Sequence, residues 1–172
     1  MEYIHIRHCF EPVFDENSRV LILGSLPSVA SREQNFYYGH PQNRFWRLIA
    51  ELCRCPVPQD IDSKKQLLLA NRIAVWDVIS ECDILGSSDS SIKNVVPADL
   101  RPILNGSKIG RIFVNGGTAA KIYDKYQKPL TGWEAVKLPS TSPANAAWSF
   151  ERLKIAWSIV ADELALSGGE QT

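Results

Sequence analysis

Apolar residues in this chain gather into short runs separated by polar segments bearing glycine and proline. Arg19-Val20-Leu21-Ile22-Leu23-Gly24 is apolar after its first residue and closes on glycine, the pattern of a strand buried on both faces. Ile73-Ala74-Val75-Trp76 and Arg111-Ile112-Phe113-Val114-Asn115 read the same way, and Glu134 to Leu138 gives a fourth strand. Between the strands the period becomes helical. Phe45, Leu48, Ile49 and Leu52 recur at helical spacing after Pro41, which suits a first helical turn. Asp62 or Ser63 is placed to cap a helix through Arg72, and a short helix begins near Pro97. Thr118 starts another helix ending around Tyr126, and a long final helix runs through about Leu166. The pattern leaves 1–18 as an irregular lead-in, 25–40 as a polar, aromatic loop and 80–96 as an ordered loop.

Strands alternating with helices predict an α/β chain: a three-layer α/β/α sandwich around a mostly parallel central sheet of about four strands. One domain covers 1–166, with 167–172 as a frayed tail. In such sheets ligands bind beyond the carboxyl ends of the strands, so segments 24–43, 76–80, 115–118 and 139–145 should meet at one site.

Composition narrows the partners. The chain has 19 basic and 19 acidic residues, a net charge of zero, so no global field draws it to nucleic acid. A nucleic-acid reading must rest on a local basic face. Arg32, Arg44 and Arg47 flank one loop, and Lys121, Lys125 and Lys128 lie along one helical region. Cys9, Cys53, Cys55 and Cys82 match neither a zinc knuckle nor the usual iron–sulfur spacing, so no metal, cluster or other cofactor is expected. No stretch reaches the roughly 20 apolar residues of a membrane span, and the N-terminus lacks a signal-peptide pattern. These features point to a cytoplasmic protein.

The run with most chemistry is Gly24-Ser25-Leu26-Pro27-Ser28, followed by Phe36-Tyr37-Tyr38-Gly39-His40-Pro41-Gln42-Asn43-Arg44-Phe45-Trp46. It is a strand-end loop rich in aromatics, with a carboxamide in the first turn of a helix. Aromatic faces stack bases, each worth about 1–3 kcal/mol. Helix N-termini favour anions. Packing alone also accounts for Phe45 and Trp46.

Gly24 through Trp46 closely resembles the first motif of the mismatch-specific uracil/thymine-DNA glycosylases, down to the block at 40–46. Leu138-Pro139-Ser140-Thr141-Ser142-Pro143-Ala144-Asn145 stands where that superfamily carries its second motif. The mismatch-specific enzymes hold an attacking water with an asparagine where this chain has Leu26. The catalytic aspartate and histidine of the classical uracil enzymes are also missing. Gly-Ser-x-Pro, Tyr-Tyr, His-Pro-x-Asn and Leu-Pro-Ser-Thr-Ser-Pro-Ala together are most similar to the hypoxanthine-DNA glycosylase branch, family six.

That resemblance implies a monofunctional, monomeric hydrolase of base excision repair acting on DNA that contains a deaminated base, hypoxanthine first. Asn43 maps onto the branch's catalytic carboxamide and would position the water. Gly24, Ser25, Leu26 and Tyr38 map onto the base pocket, with Tyr38 stacking on the flipped base. His40 either orients base or phosphate or only pins the start of the helix. Asp77 follows the second strand, where several superfamily members read the base edge; it either accepts the N1–H of hypoxanthine or caps a turn. Arg44, Ser140, Thr141, Ser142, Pro143, Ala144 and Asn145 would bind DNA. Ala144 stands where relatives wedge a large apolar residue into the duplex.

Three rivals remain at this point. A uracil- or mismatch-directed glycosylase is opposed by Leu26. A non-catalytic DNA-binding module is opposed by the intact His-Pro-x-Asn block. A serine hydrolase lacks the Gly-x-Ser-x-Gly elbow.

Overall fold

A computed structural model describes residues 2–169. In chain order its elements are β1 (Tyr3–Arg7), β2 (Val20–Gly24), α1 (Val29–Gln34), α2 (Phe45–Cys53), α3 (Ile61–Ala70), β3 (Ile73–Asp77), β4 (Ile79–Leu85) and β5 (Lys93–Pro97). They continue with α4 (Arg101–Asn105), β6 (Arg111–Asn115), α5 (Gly117–Ile122), α6 (Lys128–Thr131), β7 (Ala135–Leu138) and α7 (Phe150–Gly169).

The four expected strands form one parallel sheet, ordered β3-β2-β6-β7. Every residue of β2 is buried, and successive side chains enter opposite layers. Val20 and Ile22 join a core with Phe45, Trp157 and Leu153. Leu21 and Leu23 join a second core with Ile103, Ile112 and Tyr123. This two-sided burial explains why β2 is an unbroken apolar run. From β2 the chain first winds to β3 on one side and later to β6 on the other. The crevice this reversal opens lies beyond Gly24 and Asn115, where open α/β sheets bind ligands.

Several local expectations need correction. The lead-in at 1–18 and the loop at 80–96 contain a second, antiparallel sheet, ordered β1-β4-β5. Its strands carry His5, Glu81 and Asp83 bonded across the ladder, so they lack the long apolar runs that mark the parallel strands. The loop at 25–40 contains α1, capped by Ser28, whose Oγ accepts the Ser31 N–H. Helix α2 begins at Phe45, later than Pro41 suggested, and Asp60 caps α3 rather than Asp62 or Ser63. The helix expected from Thr118 to Tyr126 starts at Gly117 and runs on through α6, widened over 123–127 into a π-helical turn that buries Gln127, which donates to Val78 O and Ala98 O. Helix α7 extends past Leu166 to Gly169; residues 170–172 of the expected tail lie outside the described residues.

Candidate active site

A cavity of about 440 Å3 opens at the carboxyl ends of β2, β3 and β6. Gly24, Ser25 and Leu26 line it from the end of β2, and Asp77 from the end of β3. Tyr38 and Asn43 approach from the segment before α2, and Ser140, Thr141, Ser142 and Ala144 from the loop after β7. The four segments expected to meet do meet.

Asn43 lies just before α2, not within its first turn. Its Oδ1 accepts the Phe45 N–H at 2.9 Å and the Thr141 hydroxyl at 2.9 Å. A backbone N–H can only donate, so the oxygen end of the carboxamide is fixed and both its lone-pair directions are taken. What Asn43 offers the cavity is therefore its Nδ2–H pair. Thr141 is fully buried, accepts from Asn115 Nδ2 at 3.0 Å, and donates its own N–H to Asn115 Oδ1 at 3.1 Å. Asn115, Thr141 and Asn43 thus form one hydrogen-bonded chain linking β6, the second-motif loop and the start of α2. Its buried threonine cannot be a phosphate contact, which corrects the expectation for Thr141.

Arg44 also departs from its expected part. Its guanidinium donates to the carbonyls of Ser142 at 2.9 Å, Asn145 at 3.1 Å and Thr141 at 3.4 Å, and to that of Trp148. Four of the five N–H donors of the planar fork are thus spent on the main chain of the loop. Ser140 Oγ accepts the Ser142 N–H, Ser142 Oγ accepts the Ala144 N–H, and Asn145 Nδ2 donates to Ser140 O, so this loop is internally bonded. Ala144 is exposed, and Asn145 lines an adjoining groove with Lys137. Pro143 lines neither cavity nor groove. His40 is exposed, accepts the Gln42 N–H on Nδ1, and stands outside the cavity lining.

The wall between β2 and β3 is tight. A Cβ on Gly24 would stand 2.5 Å from Asp77 Oδ1 and 3.1 Å from the Tyr38 hydroxyl, so only glycine lets both groups come this close. Tyr38 adopts φ 52°, a left-handed conformation unusual for a tyrosine, and its ring stacks on Phe45 with centroids 3.9 Å apart. Burial first, then the charge of Asp77, raises its pKa, so the phenol stays protonated. That hydroxyl is buried with no protein partner. Among the described residues, the backbone N–H groups of Ser25 and Leu26 donate to no protein acceptor. Asp77 also meets a residue that sequence reasoning passed over: its Oδ2 lies 2.7 Å from His8 Nε2. The alternation Tyr3-Ile4-His5-Ile6-Arg7 was the available signal for a strand delivering His8. Asn115 was signalled only as the polar residue ending an apolar strand.

No described helix is long and apolar enough to cross a membrane. The sequence profile described as the Uracil DNA glycosylase superfamily matches residues 11–162. A protein of Methanosarcina acetivorans named hypoxanthine DNA glycosylase is 37% identical over 149 residues, covering 86% of this chain and 93% of that protein. One of Methanosarcina barkeri with the same name is 32% identical over 165 residues, covering 87% and 94%. The solution NMR structure of a Methanosarcina acetivorans protein described as a candidate uracil DNA glycosylase superposes with a TM-score of 0.77 at 35% identity, covering 91% of this chain and 96% of that one. The chain belongs to the uracil DNA glycosylase superfamily.

Proposed function

We propose that this protein is a monofunctional hypoxanthine DNA glycosylase. A deoxyinosine leaves the duplex, at a cost of a few kcal/mol that its weak pairing reduces, and enters the cavity. Water then replaces the base at the sugar C1′, giving free hypoxanthine and an abasic site. The observation carrying this reading is the convergence of Asp77 and Asn43 on one cavity, in a chain whose similar relatives are named for hypoxanthine.

Asp77 Oδ1 accepts the N1–H of hypoxanthine, a donor adenine lacks. Tyr38, backed by Phe45, forms the aromatic wall on which the base rests. As the glycosidic bond breaks, negative charge grows on the base and positive charge on the sugar. Asn43 presents N–H donors, so it serves the departing anionic base rather than orienting water through its oxygen. The free N–H groups of Ser25 and Leu26 act in the same sense, and preorganised donors aimed at developing charge are the largest catalytic contributors in many enzymes. No lysine lines the cavity among the described residues, so the reaction ends at hydrolysis without a Schiff base.

Oligonucleotides carrying one deoxyinosine, deoxyuridine or mismatched thymine, followed by alkaline cleavage of abasic sites, test this directly. Cleavage at deoxyinosine is expected to fall at least about a hundredfold in Asn43→Ala, or roughly 2.7 kcal/mol of barrier. Asn43→Asp should be no better than Asn43→Ala, because an added negative charge opposes an anionic leaving group. An active Asn43→Asp enzyme would return the water-orienting role to position 43. Cleavage mainly at uracil would keep the family activity and overturn the hypoxanthine assignment.

A further inference from the structure

His8 follows β1 and reaches the cavity wall from behind. Its side chain and that of Asp77 are each only 5% exposed, with Nε2 2.7 Å from Oδ2. The imidazole is enclosed by the rings of Phe10, Trp76 and Tyr37, at centroid distances of 4.6, 5.7 and 6.0 Å. Its other nitrogen, Nδ1, is buried with no partner. The one polar engagement of this buried ring is therefore Asp77. It takes one carboxylate oxygen and leaves the second, Oδ1, beside Gly24 on the cavity wall.

We infer that His8 is a positioning residue that turns Asp77 into a one-sided acceptor and thereby sets which bases the cavity takes. This rests on the reading of Asp77 as the base-edge contact. With its proton on Nε2, the imidazole donates to Oδ2 and stops rotation about the Cβ–Cγ bond. Oδ1 then has a fixed aim. Bases that place a ring N–H there gain a charge-assisted hydrogen bond. Bases that place a ring-nitrogen lone pair there, adenine among them, meet a carboxylate lone pair and are refused. The aromatic rings around His8 exclude water that would otherwise compete for the carboxylate.

The test compares single-turnover cleavage of deoxyinosine with that of deoxynebularine, a purine nucleotide that has a lone pair at N1 and no N1–H. His8→Phe keeps the ring packing and removes the donor. His8→Gln keeps an N–H donor. The deoxyinosine-to-deoxynebularine ratio should fall at least about tenfold in His8→Phe and stay within about threefold of wild type in His8→Gln, as expected for a hydrogen bond to a charged group. A merely structural histidine would lower both substrates by the same factor, and an unchanged ratio in His8→Phe overturns the inference alone. Wild-type protein that cleaves neither deoxyinosine nor deoxyuridine overturns the glycosylase reading and the inference together. A long-range 1H–15N spectrum of wild-type protein supplies a readout independent of any variant's folding. It should show the proton on His8 Nε2, and an unprotonated Nε2 overturns the proposal.

Discussion

Close approach at a few single residues decides the chemistry available to this chain. Gly24 is the sharpest instance, since one added methyl would stand 2.5 Å from Asp77 Oδ1. Gly24→Ala is expected to lower unfolding stability by about 1–3 kcal/mol, the usual cost of overpacking. Cleavage of deoxyinosine should fall further than the stability loss explains. Denaturant unfolding set beside single-turnover cleavage measures both, and a wild-type rate would show that Asp77 and Tyr38 need not stand where they do. Asn43 and Thr141 were both singled out by the sequence, yet the bond between them was not legible. They bond across 98 positions of chain, and only the fold reveals that Thr141 faces inward and occupies the oxygen of Asn43. Arg44 was misread for the same reason: a basic residue beside a DNA-binding motif looks like a phosphate contact until its four carbonyl partners are known.

Strand β1 carries a different lesson, about elements that hide in polar sequence. Its centre, His5, lies between Glu81 and Asp83 of β4 at 3.0 and 2.8 Å. Hydrogen bonds that its ring donates to Glu81 first and Asp83 next raise the His5 pKa above its usual 6.5. The bond to His5 holds Glu81 below its ordinary range, and the bonds from Asn94 and then His5 do so for Asp83. A histidine with a raised folded pKa stabilises fully below its unfolded value and loses that contribution as pH rises through the folded one. Carboxylates held low contribute above their usual range and lose it as pH falls through their folded values. The attachment of β1 should therefore be firmest from just above the carboxylate range to about 6.5. Hydrogen exchange, corrected for its intrinsic pH dependence, should show β1 amides losing protection relative to β2 as pH rises above 6.5. Relative protection that does not change with rising pH would contradict this account. The apolar parallel strands were readable because burial on both faces demands unbroken runs. The small sheet was not, because its ladder is partly written in His, Glu and Asp.

For the whole molecule, the strand order β3-β2-β6-β7 matters more than any total of charge. The reversal between β3 and β6 places the cavity, and the sequence predicted that meeting of four segments correctly from alternation alone. The zero net charge was equally readable, and the structure sharpens its meaning. Arg44 is committed to carbonyls and Arg47 lies over the Phe150 ring, 3.7 Å from its centroid. Arg32 at the cavity and Lys137 in the adjoining groove are the basic side chains that line these openings. Binding to undamaged duplex should accordingly depend only weakly on salt, with a log–log slope of about −2 to −3 in a fluorescence titration, corresponding to two or three phosphates neutralised. A slope near −6 would require a basic surface elsewhere on the protein. The same use of Arg44 bears on how such a protein diversifies. It grips the loop at 141–148 through main-chain oxygens, which every amino acid possesses, so the grip is blind to the side chains around it. The loop therefore behaves as a fixed handle with one interchangeable tip: exposed Ala144 joins the loop's bonds only through its backbone N–H, so selection can exchange its side chain without rebuilding the scaffold that carries it.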